Sequence, residues 1–369
     1  MPDPVRSSLL DLPPYPAEGY AKLADRIGAL LGTRSDVLLV QAEAVVALEA
    51  VATSLASPAI RALNIVTSPY GRLFGGWLRR GRAEAYDLSA EPGLPITVDA
   101  VAAALDARPE ANLVALVHAE SASGILNPLP EIGRLARKRG ALLVVDAVAS
   151  VGGHALDVDG LGIDIAVIGP QKALGGPSGV SALSVSGRAW TAIDRPDAPT
   201  QSVLSLIDLK RNWLDAGRGA LQGMPSALEF WALEAALDHV EAEGLDAVIA
   251  RHALAAAATR AGLHALGAAL WIEDEAAASN LVTAVSLPDG LSAEEIAARP
   301  ASIEAGLSPG VGEAGQKLIR LNHTGPRARH DTVLAGVLAL GFALREAGMH
   351  TDLEAAAAAV ASHYAGRKG

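Results

Sequence analysis

Two short apolar runs, one closed by an acid and the next followed by a lysine, restrict the folds open to this chain. Residues 141–186 read ALLVVDAVASVGGHALDVDGLGIDIAVIGPQKALGGPSGVSALSVS. Leu142–Val145 and Ile165–Ile168 are rich in β-branched residues and bounded by Gly, Pro and Asp, the pattern of strands buried on both faces. Asp146 closes the first run. Lys172 follows the second, in a turn punctuated by Gly169, Pro170, Gly175, Gly176, Pro177 and Gly179. Ligands of an open α/β sheet bind outside the carboxyl ends of its strands. An acid and a lysine delivered to one such edge suit a pyridoxal cofactor, the lysine forming a Schiff base and the acid holding the ring nitrogen. Each residue alone has a plainer reading: Lys172 as a solvated turn lysine, Asp146 as a helix cap.

The flanking pattern extends the same architecture. Val37–Val40, Leu63–Val66 and Leu113–Val117 read as further buried strands, separated by helical spacing over 20–31, 43–55, 96–107 and 129–138. Alternation of this kind predicts an α/β fold with a doubly wound, mostly parallel sheet. From Pro225 the pattern changes to long Ala/Leu helices. Beyond them, 281–285, 303–307 and 317–321 are strand-like, while 292–298 and 332–347 are helical, predicting a small α+β lobe. The expected division is an N-terminal arm over 1–17, a large cofactor-binding domain over 18–247 and a small C-terminal domain over 248–369.

Composition removes several classes of function. The chain has no cysteine, which excludes disulfides, thiolate metal sites and a cysteine nucleophile. A net charge of −11 argues against a general nucleic-acid binder. The nine histidines show no H-x-x-x-H or H-E-x-x-H pair, so no metal site is expected, and His118, His154 and His323 read as structural. The proline-broken start lacks a charged leader with an apolar core, and the apolar run 332–344 is too short to span a bilayer. A cytoplasmic protein without membrane contact is the expectation. VLLVQAEAVV carries no G-x-G-x-x-G, and the lysine of GVGEAGQK comes one residue late for a P-loop.

DAVASVGG followed by GPQKALGGPSG resembles the class V aminotransferases of the type I pyridoxal-phosphate fold. EAVVALEA, YGRLFGGW, SASGILNP, LSLID and RLNHTGP extend the likeness over roughly residues 43–348. Within the family the chain is most similar to the branch that transfers the amino group of unphosphorylated pyridoxamine to pyruvate. The resemblance implies that Lys172 is catalytic, Asp146 pairs with the ring nitrogen, Val148 packs beneath the ring and Tyr70 stacks on its other face. It further implies a cofactor-side role for Ser121 and Gln171, a substrate-carboxylate clamp at Arg320, and a homodimer with its sites at the interface. Without the resemblance, Tyr70 reads equally as a core aromatic and Arg320 as a surface ion pair.

Two positions bear on the phosphate end. Enzymes of this fold place Gly with Ser or Thr at the first strand–helix junction, where backbone N–H groups and the helix dipole meet the anion. Here Glu43 occupies the expected first turn of that helix, a charge that complements the dipole but repels a phosphate. Met224 replaces a phosphate-contacting threonine that the partner subunit usually lends. The expected ligand is pyridoxal 5'-phosphate or, on these two positions, unphosphorylated pyridoxal or pyridoxamine bound through Lys172. Other departures concern the substrate. Val311 stands where the pyridoxamine branch has a second substrate arginine, Asn322 and Thr324 replace Gly and Met, and residues 11–16 (DLPPYP) are the candidate substitute for a pocket-lining loop. The activity expected is amino transfer between a small amine or amino acid and a small 2-oxo acid. The alternatives are an alanine or serine–glyoxylate type aminotransferase dependent on pyridoxal phosphate, and a non-catalytic vitamin B6 binder.

Overall fold

The structure is a computed structural model that describes residues 11–365. Its first seven strands are β1 (Asp36–Val40), β2 (Arg61–Val66), β3 (Glu84–Ser89), β4 (Leu113–Val117), β5 (Leu142–Asp146), β6 (Ile165–Ile168) and β7 (Ser181–Val185). They form one sheet in the order β1-β7-β6-β5-β4-β2-β3. The pairings from β3 through β6 are parallel, whereas β7 runs antiparallel to both β6 and β1. β4 (LVALV) and β6 (IAVI) are buried along their whole length and are continuously apolar rather than alternating. β7 (SALSV) is equally buried, and its two serines are satisfied, Ser181 Oγ donating to Ala42 O and Ser184 Oγ accepting from Ala166 N–H. The sheet order brings the carboxyl ends of β1, β2, β4, β5 and β6 to one edge.

β3 lies outside the sequence expectation. Its sequence EAYDLS is polar and it pairs only with β2, leaving half-exposed positions along the strand. An edge strand lacks the second buried face that makes a strand visible in sequence.

The second sheet comprises β8 (Ala269–Leu270), β9 (Val282–Ser286), β10 (Ser308–Pro309) and β11 (Leu318–Asn322), ordered β10-β11-β9-β8 and antiparallel throughout. The expected strand over 303–307 is instead the helix Pro300–Ala305, ended by Gly306 in the left-handed region. The five residues IEAGL are too few for periodicity to distinguish helix from strand, and Ile303, 63% exposed, is not a core position at all. The helix Leu245–Leu266 joins the two layers: Val248 packs with the large core, while Ala255, Ala258, Leu263 and Leu266 pack with the small one. The helix Leu353–Tyr364 lies against the same long helix and against His330–Glu346.

Residues 11–16 do not reach the sheet edge. Tyr15 is buried against Tyr20, Phe230 and Trp231, and Trp231 Nε1 donates to the Pro13 carbonyl. The proposed pocket substitute therefore anchors the chain start to the helix Ala227–Glu243. No helix among the described residues is long and apolar enough to cross a membrane.

Candidate active site

The sheet edge gathers the residues that the sequence spread over 130 positions. Asp146 pairs with Val167 across β5 and β6, so the acid and the Lys172 turn start from neighbouring strand ends. The turn is held by its own backbone, with Lys172 N–H donating to Gly169 O and Gly176 N–H to Pro170 O. Gly325 closes against it from the small lobe. Its φ is +60°, and a Cβ there would lie 2.8 Å from the Lys172 carbonyl, so only glycine permits this approach.

Tyr70 enters from the helix Pro69–Arg80, started by Pro69 and capped by Ser68 Oγ, which accepts from Tyr70 N–H. Asn64, buried in β2, donates to Gly71 O at 2.9 Å and to Asp87 at 2.7 Å, fixing that helix start over the sheet edge. Glu43, Tyr70, Glu120, Asp146, Val148 and Lys172 line one cavity. A second shares Ser121, Ala149 and Lys172 with it and adds Ser308, Arg320, Asn322 and Thr324. The two form a continuous cleft with Lys172 at their junction.

Burial is the leading electrostatic force here. It lowers the Lys172 amine from its usual range, helped by the Arg320 guanidinium and opposed by the Glu43 and Asp146 carboxylates. It raises Asp146 to about 6, against the Val148 N–H, which donates to Oδ1 at 3.0 Å, and against Lys172. An amine easier to deprotonate beside an acid poised near neutrality suits proton movement.

Glu43 caps the helix Ala44–Leu55 from just outside its first turn, correcting the expected position by one residue. Its Oε2 accepts from Val45 N–H at 2.8 Å, and its Oε1 accepts from Gln171 Nε2 at 2.9 Å. The helix N-terminus, where backbone donors can meet an anion, is thus occupied by the protein's own carboxylate. Met224 is not brought to the cleft of this chain; it lies outside, 96% exposed.

Glu120 was missed by sequence reasoning. It is 1% exposed, its Oε1 accepts from Thr67 Oγ1 at 2.6 Å, and its Oε2 has no partner among the described residues. Asn127 completes the chain by donating to Thr67 Oγ1 and to Val117 O. Burial, strengthened by Asp146 and opposed by the Ser68 and Thr67 hydroxyls, raises this carboxyl to about 7. The available signal was an acid inside HAESASG directly after a fully apolar strand. His118 and His323 are buried and His154 partly so; burial holds all three below their ordinary range, and His323 hydrogen-bonds Thr283 rather than facing the cleft.

The chain's residues fit a pyridoxal group: an amine, an acid for a ring nitrogen, an aromatic ring and an apolar floor surround one cavity. The family profile described as aminotransferase class-V matches residues 17–304. The pyridoxamine–pyruvate transaminase of Mesorhizobium japonicum is 37% identical over 93% of this chain and 87% of its own length. The crystal structure of pyridoxamine–pyruvate aminotransferase from Mesorhizobium loti superposes with a TM-score of 0.88 at 35% identity, covering 94% of this chain and 89% of that one. The alanine–glyoxylate aminotransferase of Drosophila melanogaster is 30% identical over 78% of this chain and 74% of its own length.

Proposed function

The chain belongs to the class V aminotransferases, and on that footing we propose that it moves an amino group from unphosphorylated pyridoxamine to a small 2-oxo acid. The observation that carries this reading is Glu43 at the helix N-terminus, its two oxygens already accepting from Val45 and Gln171. A phosphate placed there meets a carboxylate instead of free N–H groups, whereas a 5'-hydroxymethyl group can donate to it.

A bound pyridoxal group supplies an electron sink for the pair released when a substrate C–H bond gives up its proton. Lys172 Nζ holds that group and, when free, takes and returns the proton; its lowered basicity keeps a neutral fraction available. Asp146, ionised, would accept from the ring nitrogen of such a group and so favour its protonated form. Tyr70 and Val148 would confine the ring and Ser121 would stand beside it, all three lining the same cavity. Arg320 takes the carboxylate of the 2-oxo acid, oriented by its bonds to Pro309 O and Ser121 O. In the same reading, residues 18–247 carry the pyridoxal group and 248–369 complete the substrate side. The exposed Met224, on a segment tied to the first strand–helix turn by Gln41 Nε2 donating to Gln222 O, supports a site completed by a second copy in a homodimer.

The test is a panel of half-reactions with purified protein. Pyridoxamine, pyridoxamine phosphate, alanine and serine serve as donors against pyruvate and glyoxylate, followed by absorbance near the visible edge. Turnover of pyridoxamine is expected. Retention of pyridoxal phosphate through dialysis, together with no binding of pyridoxal, overturns the reading; binding without any half-reaction would instead make the protein a vitamin B6 binder.

A further inference from the structure

We infer that Asn322, assisted by the hydroxyl of Ser308, supplies the second half of the carboxylate site beside Arg320, in place of a second guanidinium. This rests on the amino-transfer reading above. Arg320 does not present its whole fork to a ligand. Its Nε donates to Pro309 O at 2.8 Å and its Nη1 to Ser121 O at 2.6 Å, leaving Nη2 as the nitrogen without an acceptor among the described residues. A carboxylate has two oxygens, and a side chain so committed satisfies one of them best. The Val311 side chain has no donor to offer the other.

β11 provides one. Residues two apart on a strand project from the same face, and Arg320 and Asn322 stand about 7 Å apart along it. Ile319 and Leu321 take the opposite face and are buried in the small core. Ser308 is the register partner of Arg320 across β10 and β11, which puts it on the cleft face too. All three line the cavity that ends at Lys172.

The direction of the Asn322 amide follows from its neighbour. Thr324 N–H lies 3.0 Å from one amide atom, and because an N–H can only donate, that atom must be Oδ1. Thr324 is itself fixed by Oγ1 donating to Leu281 O at 3.0 Å. The Nδ2 group, a donor with no acceptor elsewhere in the chain's described residues, is what Asn322 offers the cleft. Lys172 and Arg320 are the cations lining this cavity, so the geometry favours a 2-oxo acid with one carboxylate and a small substituent. A second carboxylate would meet no further cation.

The test measures KM for pyruvate and for pyridoxamine in wild type, N322A, N322D and the double variant V311R/N322A, with thermal melting to verify folding. N322A is expected to raise KM for pyruvate roughly 10- to 100-fold, the effect of one hydrogen bond to a charged group. N322D should raise it further by repulsion, and V311R should restore part of the loss. KM for pyridoxamine, which has no carboxylate, should stay within a factor of about two. Unchanged pyruvate KM in folded N322A and N322D overturns the inference, as does a loss confined to acceptors with polar substituents. Calorimetric titration of pyruvate needs no turnover: weaker binding in N322A, with no amino transfer even by wild type, would uphold the carboxylate site and reject the transaminase reading.

Discussion

Glu43 offers the sharpest test of how this pocket selects its ligand. Replacing it with Ser removes the charge but keeps an oxygen that can cap Val45 N–H, so the helix Ala44–Leu55 should remain intact. Replacing it with Gln keeps the length and removes only the charge. Two unit charges about 4 Å apart repel by roughly 1 kcal/mol in water and 4 kcal/mol at an effective dielectric near 20. Glu43 is exposed, so the watery end of that range applies, about 1–2 kcal/mol per phosphate charge and about 2–4 kcal/mol for a dianion. The ratio of pyridoxal phosphate affinity to pyridoxal affinity should therefore rise roughly 30- to 1000-fold in both variants. Titrating protein freed of ligand with each compound, followed by the visible absorbance, measures the ratio directly. Wild type adds a control, because its affinity for the phosphate form should improve with salt as the repulsion is screened over about 8–10 Å. A ratio that moves less than about threefold in both variants, against the repulsion worked out above, would refute the assignment of ligand choice to Glu43.

Three further outcomes follow from the same geometry. Lys172→Ala should still bind pyridoxal but lose the shifted absorbance band and slow the half-reaction by on the order of 10³-fold, read by stopped-flow absorbance; a retained band would remove Lys172 from its role. Gly325→Ala places a Cβ 2.8 Å from the Lys172 carbonyl at a φ of +60°, so stability should fall by at least about 1–2 kcal/mol in denaturant titration. Acid should destabilise the protein. Burial holds His118 and His323 down to about 3 and His154 and His252 to about 4. Unfolding lets these groups take up protons below about 6.5, so their contribution is lost as pH falls. Asp146 and Glu120, raised to about 6 and 7, act oppositely, since the folded state binds their protons first. Near pH 5.5 the four histidines outweigh the two acids by about two protons, so stability should drop by about 2–3 kcal/mol from pH 6 to pH 5. Denaturant titrations at the two pH values check this, and equal stabilities would refute it.

The strand ends and their chemistry were legible without coordinates because they depend on local pattern. Buried β-branched runs closed by Asp146 and followed by Lys172 admit few arrangements, and Glu43 stands at a helix start that periodicity alone locates. The two aliphatic cores and the parallel sheet follow from the same regularity. What the sequence does not carry is how side chains face one another across 50 to 200 positions. Glu120 becomes a site residue only because Thr67 and Ser68 at the end of β2 and Asp146 at the end of β5 converge on it. Arg320 is half committed because Pro309 and Ser121 bring carbonyls to it, and the Asn322 amide is oriented by a backbone N–H two residues on. The edge strand β3, the helix at 300–305 and the anchoring of residues 11–16 against Trp231 likewise depend on neighbours distant in the chain. Periodicity reports which face of an element is buried, so the buried strands β1, β2, β4, β5 and β6 and the places of Lys172 and Asp146 were determined by the sequence alone. Only tertiary contact decides which polar atoms in the cleft are already satisfied and which remain to meet a ligand.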